Sequence, residues 1–275
     1  VYRLKAYQVP EGSRTSKGLN IVNLLPLTEN EKITAMLHIR SMEEPLNLCM
    51  LTKKGIIKRT PISAYNTARK GGIIAIDLDE DDELCFTALT TGEDEIVVAT
   101  KKGMAIRFKE TDARLLGRTA RGVRAINLSD EKDDSVIGCA VVDDRKSILT
   151  VTETGFGRLS DFDNYRLQSR GGKGLINYHT EKFGDVAAVA AVTGEEDAIL
   201  ISSDGIVIRI PTVSISKFAR PSKGVRVMRT SDSDKVITLA LTTHEEEAEQ
   251  ENAQDGENGQ AAENVETGGN AENDE

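Results

Sequence analysis

Leu48-Cys49-Met50-Leu51-Thr52-Lys53-Lys54-Gly55-Ile56-Ile57-Lys58-Arg59 is the first copy of a phrase that occurs four times in the chain. An apolar run leads into a polar turn that ends in glycine, and a second apolar run that carries a basic residue follows. The other copies span residues 96–107, 148–158 and 199–209. Branched apolar residues on both sides of a short turn closed by glycine predict a β-hairpin in each copy.

A second repeated phrase lies between the hairpins and brings basic residues up to a glycine and an apolar run. Its copies are Arg14-Thr15-Ser16-Lys17-Gly18, the looser Arg69-Lys70-Gly71-Gly72, Arg118-Thr119-Ala120-Arg121-Gly122, Arg170-Gly171-Gly172-Lys173-Gly174 and Arg220-Pro221-Ser222-Lys223-Gly224. Their final glycines are 54, 50, 52 and 50 residues apart. Positive charge therefore recurs once per structural unit.

The two phrases together predict an all-β fold built from units of about 50 residues. Each unit continues with an apolar run such as residues 122–128, an acidic turn, and a last apolar run such as residues 136–142. Four strands per unit indicate a β-pinwheel or propeller-like array of four-stranded blades. We expect residues 1–45 to form part of a blade, with a strand over residues 1–5, and four repeats to follow up to residue 243. A closed ring would need sequence before Val1.

The net charge of −10 conceals an uneven distribution of charge along the chain. Residues 244–275 contain 12 acidic residues and neither lysine nor arginine, whereas residues 1–243 contain 35 basic and 33 acidic residues. The tail has no apolar periodicity, so it cannot bury enough surface to offset its ordering entropy. We predict a near-neutral folded domain over residues 1–243 and a disordered acidic tail over residues 244–275.

The composition favours a cytoplasmic protein with no catalytic centre in this chain. Cys49, Cys85 and Cys139 form no C-x-x-C pair and lie in or beside apolar runs, which is typical of reduced, buried thiols. No apolar run is long enough for a membrane helix. Histidines and cysteines show no metal-ligand spacing, and no nucleophile or phosphate-loop motif occurs. We therefore predict no catalytic, cofactor-binding or metal-binding residues.

The basic phrases form the candidate functional site. Blades arranged around an axis would place them on one rim, where Lys and Arg beside exposed backbone N–H groups suit the phosphate oxygens of a bent duplex. The phrases contain neither aromatic residues nor base-reading amides, which indicates backbone contact without sequence readout. The predicted DNA-binding residues are Arg14, Lys17, Arg69, Lys70, Arg118, Arg121, Arg170, Lys173, Arg220 and Lys223.

A weaker set of cations lies on the second strands of the hairpins. Two roles remain open for these residues: auxiliary phosphate contacts, or ordinary charges on the outward face of a strand. The set comprises Lys58, Arg59, Arg107, Lys109, Arg158 and Arg209.

The phrase Ile21-Val22-Asn23-Leu24-Leu25-Pro26-Leu27, preceded by Lys5-Ala6-Tyr7-Gln8-Val9-Pro10-Glu11, closely resembles the C-terminal domain of DNA gyrase A subunits. The resemblance extends through Arg107-Phe108-Lys109-Glu110 to about Thr243, and the acidic tail is also typical. It implies a six-bladed β-pinwheel whose basic rim wraps double-stranded DNA. The parent enzyme would then be an ATP-dependent type II topoisomerase that introduces negative supercoils.

The same resemblance implies where the rest of the machinery lies. ATP, Mg²⁺ and the catalytic tyrosine would belong to other domains or subunits of a bacterial heterotetramer of two A and two B subunits, in the cytoplasm at the nucleoid. This fragment alone would be a monomer without a cofactor.

The family's wrapping motif, Gln-Arg-Arg-Gly-Gly-Lys-Gly, belongs to the first blade and is expected upstream of Val1. Gln168-Ser169-Arg170-Gly171-Gly172-Lys173-Gly174 matches six of its seven positions, with Ser169 in place of a basic residue. Its place in the repeat order is that of a later blade. We interpret it as a sister loop of the motif.

Two alternatives remain open from the sequence. The C-terminal domain of the topoisomerase IV A subunit would share the repeats, although the phrase at residues 21–27 and the four complete repeats favour gyrase. A protein-binding propeller scaffold would share the fold, but it would bind its partner with little dependence on salt and would not bind a duplex.

We predict that the acidic tail competes with DNA for the basic rim as an intramolecular polyanion. A chain truncated after Thr243 should then bind a duplex more tightly than the 275-residue chain at low salt, because the competing negative charge has been removed. The difference should shrink as salt is added, since screening weakens both attractions. Equal affinities at low salt would rule this competition out.

Overall fold

The computed structural model describes residues 1–13, 15–29, 31–69, 71–128, 133–142, 147–231 and 233–244. The chain divides into two compact parts, Val1–Thr242 and Thr243–Glu275. The strands of the described residues are β1 (Asn47–Thr52), β2 (Ile56–Pro61), β3 (Leu84–Thr90), β4 (Glu95–Thr100), β5 (Met104–Lys109), β6 (Val123–Arg124), β7 (Val136–Val142), β8 (Ser147–Thr152), β9 (Phe156–Asp161), β10 (Leu175–Ile176), β11 (Val186–Val192), β12 (Glu196–Ser202), β13 (Val207–Pro211), β14 (Val225–Arg226) and β15 (Val236–Thr243). The predicted all-β fold is confirmed.

Helical structure is confined to single turns in the part of the chain that the structure describes. The 3-10 turns span Ala6–Gln8, Ile21–Asn23, Ile62–Tyr65, Glu110–Asp112, Phe162–Asn164 and Thr212–Ser214, and one α-helical turn spans Thr180–Phe183. The last four 3-10 turns directly follow the second strand of a hairpin. No helix among the described residues has the length and apolar character needed to cross a membrane.

The four predicted hairpins are present as antiparallel pairs: β1 with β2, β4 with β5, β8 with β9 and β12 with β13. Each polar turn ends in a glycine with a positive φ, namely 81° at Gly55, 81° at Gly103, 77° at Gly155 and 82° at Gly205. A side chain is strained in this region of the backbone map. The turn geometry therefore explains the glycine of the hairpin phrase.

The sheets exchange one strand between successive units. Their strand orders are β3-β1-β2-β6, β10-β5-β4-β7, β11-β8-β9-β14 and β13-β12-β15. The short strands β6, β10 and β14, which follow the basic phrases, each pair with the hairpin of the preceding unit. The predicted four-stranded blades are therefore confirmed, but the four strands of one blade do not all come from one unit. One unit supplies three strands of a blade, and the next unit supplies the fourth.

The last strand of each unit lies on the opposite side of its blade from the exchanged strand. β3 contacts β7, and β7 contacts β11. The second contact is close, because a Cβ added at Gly138 of β7 would lie 2.8 Å from the Cγ2 methyl of Val189 in β11. The blades thus share an inner side formed by β3, β7 and β11. We call the opposite side, which carries β6, β10 and β14, the outer edge.

Neighbouring blades also share their apolar cores. One cluster of buried side chains combines Leu51 and Ile57 of the first sheet with Val98 and Phe108 of the second, all of them fully buried. Burial of apolar surface therefore joins the blades as well as stabilising each one.

A buried ion pair adds a polar link between the first two units. Nη1 of Arg59 on β2 lies 2.7 Å from Oε2 of Glu110, and both side chains are buried. The Arg59 Nε donates to the carbonyl oxygen of Ala113 at 2.7 Å. Oε1 of Glu110 accepts the backbone N–H groups of Gly92 and Asp94, at 2.5 and 3.0 Å. These extra hydrogen bonds satisfy both ions, as a buried pair requires.

The acidic turns of the repeats cap the hairpins. In three of the sheets, an aspartate of the acidic turn accepts a backbone N–H from the polar turn of the hairpin at 3.0 Å. The pairs are Asp82 with Lys54, Asp134 with Lys102 and Asp234 with Asp204. The recurrence of acidic residues therefore has a structural cause.

The two ends of the array depart from the repeat. The sheet β13-β12-β15 has three strands among the described residues, and Ile206 and Val207 at its outer edge are 50% and 59% exposed. The predicted strand over residues 1–5 is not formed. Val1 alone exchanges backbone hydrogen bonds with Ile73, at 2.8 and 3.0 Å. That pair corresponds to the exchanged strand of the other blades.

We predict that Gly155→Ala destabilises the protein far more than Gly205→Ala. Both glycines end a hairpin turn at nearly the same φ, 77° and 82°, so backbone strain of about 1–2 kcal/mol is common to both. A Cβ at Gly155 would lie 2.1 Å from the carbonyl oxygen of Met228 in the next unit, whereas a Cβ at Gly205 would meet no atom within 4 Å. Urea denaturation should show a loss of at least about 3 kcal/mol for Gly155→Ala. Equal losses would contradict a role for the inter-unit contact.

We also predict that Glu110→Ala lowers the free energy of unfolding by about 3–5 kcal/mol, because it leaves the buried Arg59 guanidinium without its counter-ion. Glu83→Ala is the matched control, since it removes an exposed carboxylate that lies 2.5 Å from Lys53. The control should leave the urea midpoint unchanged within error. A midpoint for Glu110→Ala equal to that of the control would show that the buried pair does not stabilise the fold.

Candidate nucleic-acid interface

The basic phrases lie along the outer edge, each against the hairpin of the preceding unit. We call residues 117–121, 169–173 and 219–223 the basic loops. Each loop begins after an anchoring residue whose backbone N–H donates to a carbonyl of the preceding hairpin at 2.9 Å. The anchors are Leu116 on Arg59, Gln168 on Arg107 and Phe218 on Leu159.

Each loop ends at a position where only glycine fits, because a side chain there would clash with the preceding hairpin. Gly122, Gly174 and Gly224 have φ values of 113°, 80° and 72°. A Cβ there would lie 2.7, 2.3 and 2.2 Å from the carbonyl oxygens of the preceding hairpin, which is closer than real Cβ atoms approach. The glycine thus lets the chain press against the neighbouring blade. With both ends anchored, the residues between them project from the outer edge.

In two of the three basic loops, the side chain of the first basic residue fixes the loop. Arg170 donates from Nε to the carbonyl oxygen of Asp112 at 2.8 Å and from Nη1 to that of Arg124 at 2.9 Å. Arg220 makes the equivalent bonds to Asn164 at 2.6 Å and to Ile176 at 3.0 Å. Both guanidiniums therefore bridge two carbonyls of the preceding unit. Their positive charge remains at the loop because neither carbonyl neutralises it.

The second basic residue of a phrase faces solvent. Arg121, Lys173 and Lys223 are all exposed. Arg121 is paired with the carboxylate of Asp79. The Lys223 ammonium lies 4.1 Å from the ring centre of Phe156, a cation–π contact that holds it over an aromatic face. In the loops at residues 169–173 and 219–223, the two basic positions thus differ in role: the first is bound to backbone carbonyls and the second is exposed.

The earlier copies of the phrase are less firmly held. Lys17 and Arg69 are exposed. A Cβ at Gly18 would meet no atom within 4 Å, and one at Gly72 would meet only the ring of Tyr2 among atoms closer than 3.2 Å. Two further predicted residues, Arg14 and Lys70, lie outside the described residues.

The weaker set requires correction, because Lys58, Arg59 and Arg158 are 0%, 4% and 0% exposed. A phosphate cannot reach a side chain in the interior, so direct contact by these three residues is excluded in this structure. The alternative, a charge on an outward face, is wrong for the same reason. Lys58 and Arg59 each donate to a carbonyl of the next unit, at Arg118 and Ala113, whereas Arg158 donates to Asn177 of its own unit.

Of the other three residues in the weaker set, two are paired with carboxylates and one is exposed to solvent. The half-buried Arg107 pairs with Glu95 at 2.6 Å and donates to the carbonyl of Phe162 at 2.7 Å. Arg209 lies 2.6 Å from a carboxylate oxygen of Asp197. Lys109 is exposed and remains available to an external anion.

Four exposed arginines near the basic loops were missed by the sequence analysis. Arg124 and Arg226 each stand two residues after a phrase glycine, on β6 and β14. Arg114 and Arg166 occupy equivalent positions 52 residues apart, just before the anchoring residues. The repeat spacing could have revealed them. Together with the second basic residues they extend the positive surface on both sides of the loop at residues 117–121 and on one side of each of the other two.

The arrangement suits anion binding and offers no reactive thiol. Burial raises the pKa of Cys49 and Cys85 to about 12, so these thiols stay protonated and poorly nucleophilic near neutral pH. Cys139 is also buried, and burial raises its pKa. Within the described ranges, no three His, Cys, Asp or Glu side chains gather at a point where they could hold a metal ion.

Comparisons with known proteins agree with the geometry. The family model described as "DNA gyrase C-terminal domain, beta-propeller" matches residues 1–40, 46–89, 94–143, 146–193 and 196–243, which is one segment for the predicted part-blade and one for each of the four predicted repeats. The DNA gyrase A subunit of Staphylococcus epidermidis (strain ATCC 12228) is 41% identical over 251 residues, which cover 90% of this chain and 28% of that protein. The DNA gyrase A subunit of Haloquadratum walsbyi is 44% identical over 246 residues, which cover 87% of this chain and 28% of that protein.

Solved structures show the same fold. The C-terminal domain of DNA topoisomerase IV superposes with a TM-score of 0.77 at 22% identity, covering 88% of this chain and 76% of that one. The DNA gyrase A C-terminal domain superposes with a TM-score of 0.72 at 24% identity, covering 82% and 75%. The chain spans a little over a quarter of the length of the curated relatives, whose matched share is 28%. The repeats, the fold and these matches together show that the chain belongs to the family of DNA gyrase C-terminal domains, and they confirm the resemblance drawn from its residues.

Proposed function

We propose that this domain binds double-stranded DNA by its phosphate backbone along the outer edge and wraps it for a type II topoisomerase. One observation carries the proposal: each of the three basic loops is anchored at both ends on the preceding hairpin and presents an exposed cation at the same place on its blade. Arg121, Lys173 and Lys223 therefore recur at a regular step around the array. A regular series of exposed cations matches a regular polyanion better than it matches a small ligand.

The chemistry of the loops favours contact with phosphates over contact with bases. Bases are read by bidentate Arg, Asn and Gln side chains that enter a groove. The loops contain no Asn or Gln between the two basic residues of a phrase, and Arg170 and Arg220 are held by carbonyls of the protein. The remaining lysines and arginines act as point charges. We therefore infer binding that is largely independent of sequence.

The energy of wrapping sets how many contacts are needed. Smooth bending of a few tens of base pairs costs on the order of several kcal/mol. Each neutralised phosphate releases about one condensed counterion, so a handful of contacts offsets that cost at low salt and loses the advantage at high salt. Curvature follows naturally, because the loops lie on the outer side of blades that converge on a shared inner side.

We infer further that the parent protein is a DNA gyrase A subunit that works with B subunits in the cytoplasm, where ATP and Mg²⁺ are held by other domains. The names of the relatives support gyrase, and their greater length leaves room for a catalytic region. The likeness in fold to the topoisomerase IV domain keeps that enzyme as a second candidate. A linking-number assay on the whole protein separates them, since gyrase introduces negative supercoils and topoisomerase IV relaxes and decatenates.

The proposal predicts a steep inverse dependence of duplex affinity on salt. A variant with Arg121→Gln, Lys173→Gln and Lys223→Gln should lower the slope of log K against log salt by about three, roughly one for each lost phosphate contact. The measurement is binding of the full chain to a mixed-sequence duplex of about 40 base pairs across a salt series.

Lys235→Gln is the control for that series, because Lys235 is also exposed but precedes β15, at the opposite edge of its sheet from β13, and pairs with Glu153. The control should keep the slope of the unaltered chain. A folded wild-type chain that binds no duplex at low salt would overturn the proposed function. An unchanged slope in the triple variant would show that the DNA does not contact these three residues of the basic loops.

A further inference from the structure

Two cations lie buried directly beneath basic loops and touch no solvent. Lys58 and Arg158 are both 0% exposed. Each stands three residues after the glycine of its hairpin turn, where the other two hairpins have Ile106 and Ile208. A lysine and an arginine thus occupy a position that an apolar side chain fills in the alternate units. Burial of a charge is costly, so its presence at such a position needs a reason.

Lys58 is bound to the chain that forms the loop above it. Its ammonium donates to the carbonyl oxygen of Ala75 at 2.5 Å and to the carbonyl oxygen of Arg118, the first basic residue of the loop. The charge is therefore held immediately below the backbone of residues 117–121. It also ties that loop to β2 of the preceding unit.

Arg158 occupies the equivalent place beneath residues 219–223. Its Nη2 donates to Asn177 at the backbone oxygen, 2.5 Å away, and at Oδ1, 3.0 Å away, and its guanidinium stacks 4.7 Å from the ring centre of Tyr178. The Tyr178 hydroxyl in turn donates to the carbonyl of Lys223. Nε and Nη1 of Arg158 have no hydrogen-bond partner among the described residues. The loop closes over it, since a Cβ at Gly224 would lie 2.8 Å from Arg158 Cβ.

Neither buried cation has a carboxylate partner within the part of the chain that the structure describes. Burial lowers the pKa of both cations. The charge of Arg118 adds to this effect at Lys58, and that of Arg220 adds to it at Arg158, where Tyr165 and Tyr178 act in the opposite direction. Each site therefore pairs a buried cation with the first arginine of the loop above it, a like-charge arrangement that disfavours folding. By contrast, the buried Arg59 nearby has Glu110 as a counter-ion.

We propose that Lys58 and Arg158 are positioning residues for DNA phosphates: they add positive potential to two of the basic loops from below and fix the loop backbone, without touching DNA. The proposal rests on the proposed function. Charge in a low-dielectric interior is screened less by salt and water than a surface charge. A phosphate bound at the loop would relieve the repulsion within each pair of cations. The loop at residues 169–173, which lies over Ile106, lacks this contribution.

The titration of Lys58 makes the idea testable. Burial, reinforced by the nearby Arg118, lowers the pKa of Lys58 to about 8. The other titratable group at this site is Tyr65, whose hydroxyl lies 3.5 Å from the Ala75 carbonyl and whose pKa is raised by burial, so it stays neutral over the same range. As pH rises through 8, the folded protein loses the Lys58 charge, and affinity for phosphate should fall.

Stability should respond in the opposite sense. In the unfolded chain the lysine keeps its proton up to its ordinary pKa of 10.5, whereas its pKa in the folded chain is about 8. The unfolded state then binds more protons between these values, so the contribution of Lys58 to the free energy of unfolding rises with pH. A purely structural role would make affinity and stability change together.

The experiment compares Lys58→Met, Lys58→Arg and the control Ile106→Met in the full chain, with duplex affinity at low salt and urea denaturation measured at pH 7 and pH 9. At pH 7, Lys58→Met should bind about three- to tenfold more weakly with an unchanged salt slope, because a charge is lost but no phosphate contact is. Lys58→Arg should keep its affinity at both pH values, and the control should follow the wild-type chain. Arg158→Met should resemble Lys58→Met at pH 7.

Wild-type affinity that falls between pH 7 and pH 9 while the urea midpoint rises relative to Lys58→Arg supports the proposal, and this comparison holds even where Lys58→Met does not fold. A folded Lys58→Met chain with wild-type affinity and pH profile overturns it. Failure of the wild-type chain to bind any duplex would instead overturn the proposed function, so the two failures are distinguishable.

Discussion

The exchange of an outer strand between successive units is the constraint on which the rest of the structure depends. A blade of three strands would leave the outer edge of its hairpin unpaired, and unpaired backbone groups at an edge favour association with other chains. The next unit covers that edge with a strand of only two paired residues, so other contacts must hold this strand against the hairpin. Anchoring N–H bonds at Leu116, Gln168 and Phe218 and close glycine contacts at the ends of the loops supply it. The position of the cations is a consequence of this packing.

Much of the fold could be predicted from the sequence because its signals are local and repeated. The hairpins follow from branched apolar residues around a glycine turn, and the basic phrases follow from their spacing. The exchange could not be predicted, since a pair such as Val123–Arg124 carries too few residues to show which hairpin it joins. The burial of Lys58, Arg59 and Arg158 was missed for a different reason. Alternate residues of a strand face opposite sides, and both faces of β2 and β9 are covered by neighbouring chain, so adjacent cations such as Lys58 and Arg59 are both buried.

The repeat itself contained a clue to those buried positions. The third residue after each hairpin glycine alternates between a cation and isoleucine along the chain: Lys58, Ile106, Arg158 and Ile208. A site that accepts isoleucine in one unit is apolar in its surroundings, so a lysine or arginine there is inside the protein. The next residue along, as in Arg59 and Arg107, meets a carboxylate and carbonyls instead. Comparison of equivalent positions across the units distinguishes cations buried in apolar surroundings, such as Lys58, from cations paired with a carboxylate, such as Arg59.

Division of labour within each phrase explains how a short loop can bind a phosphate at low entropic cost. A flexible lysine loses rotamer freedom when it binds, and an unanchored loop loses backbone freedom as well. Here the backbone cost is met on folding, by the glycine contact and by the carbonyls that hold Arg170 and Arg220. Only the second cation must still be ordered, and Lys223 already lies over the ring of Phe156. The loops are therefore preorganised for a charge and not for a base sequence, which is what a surface that must accept any duplex requires.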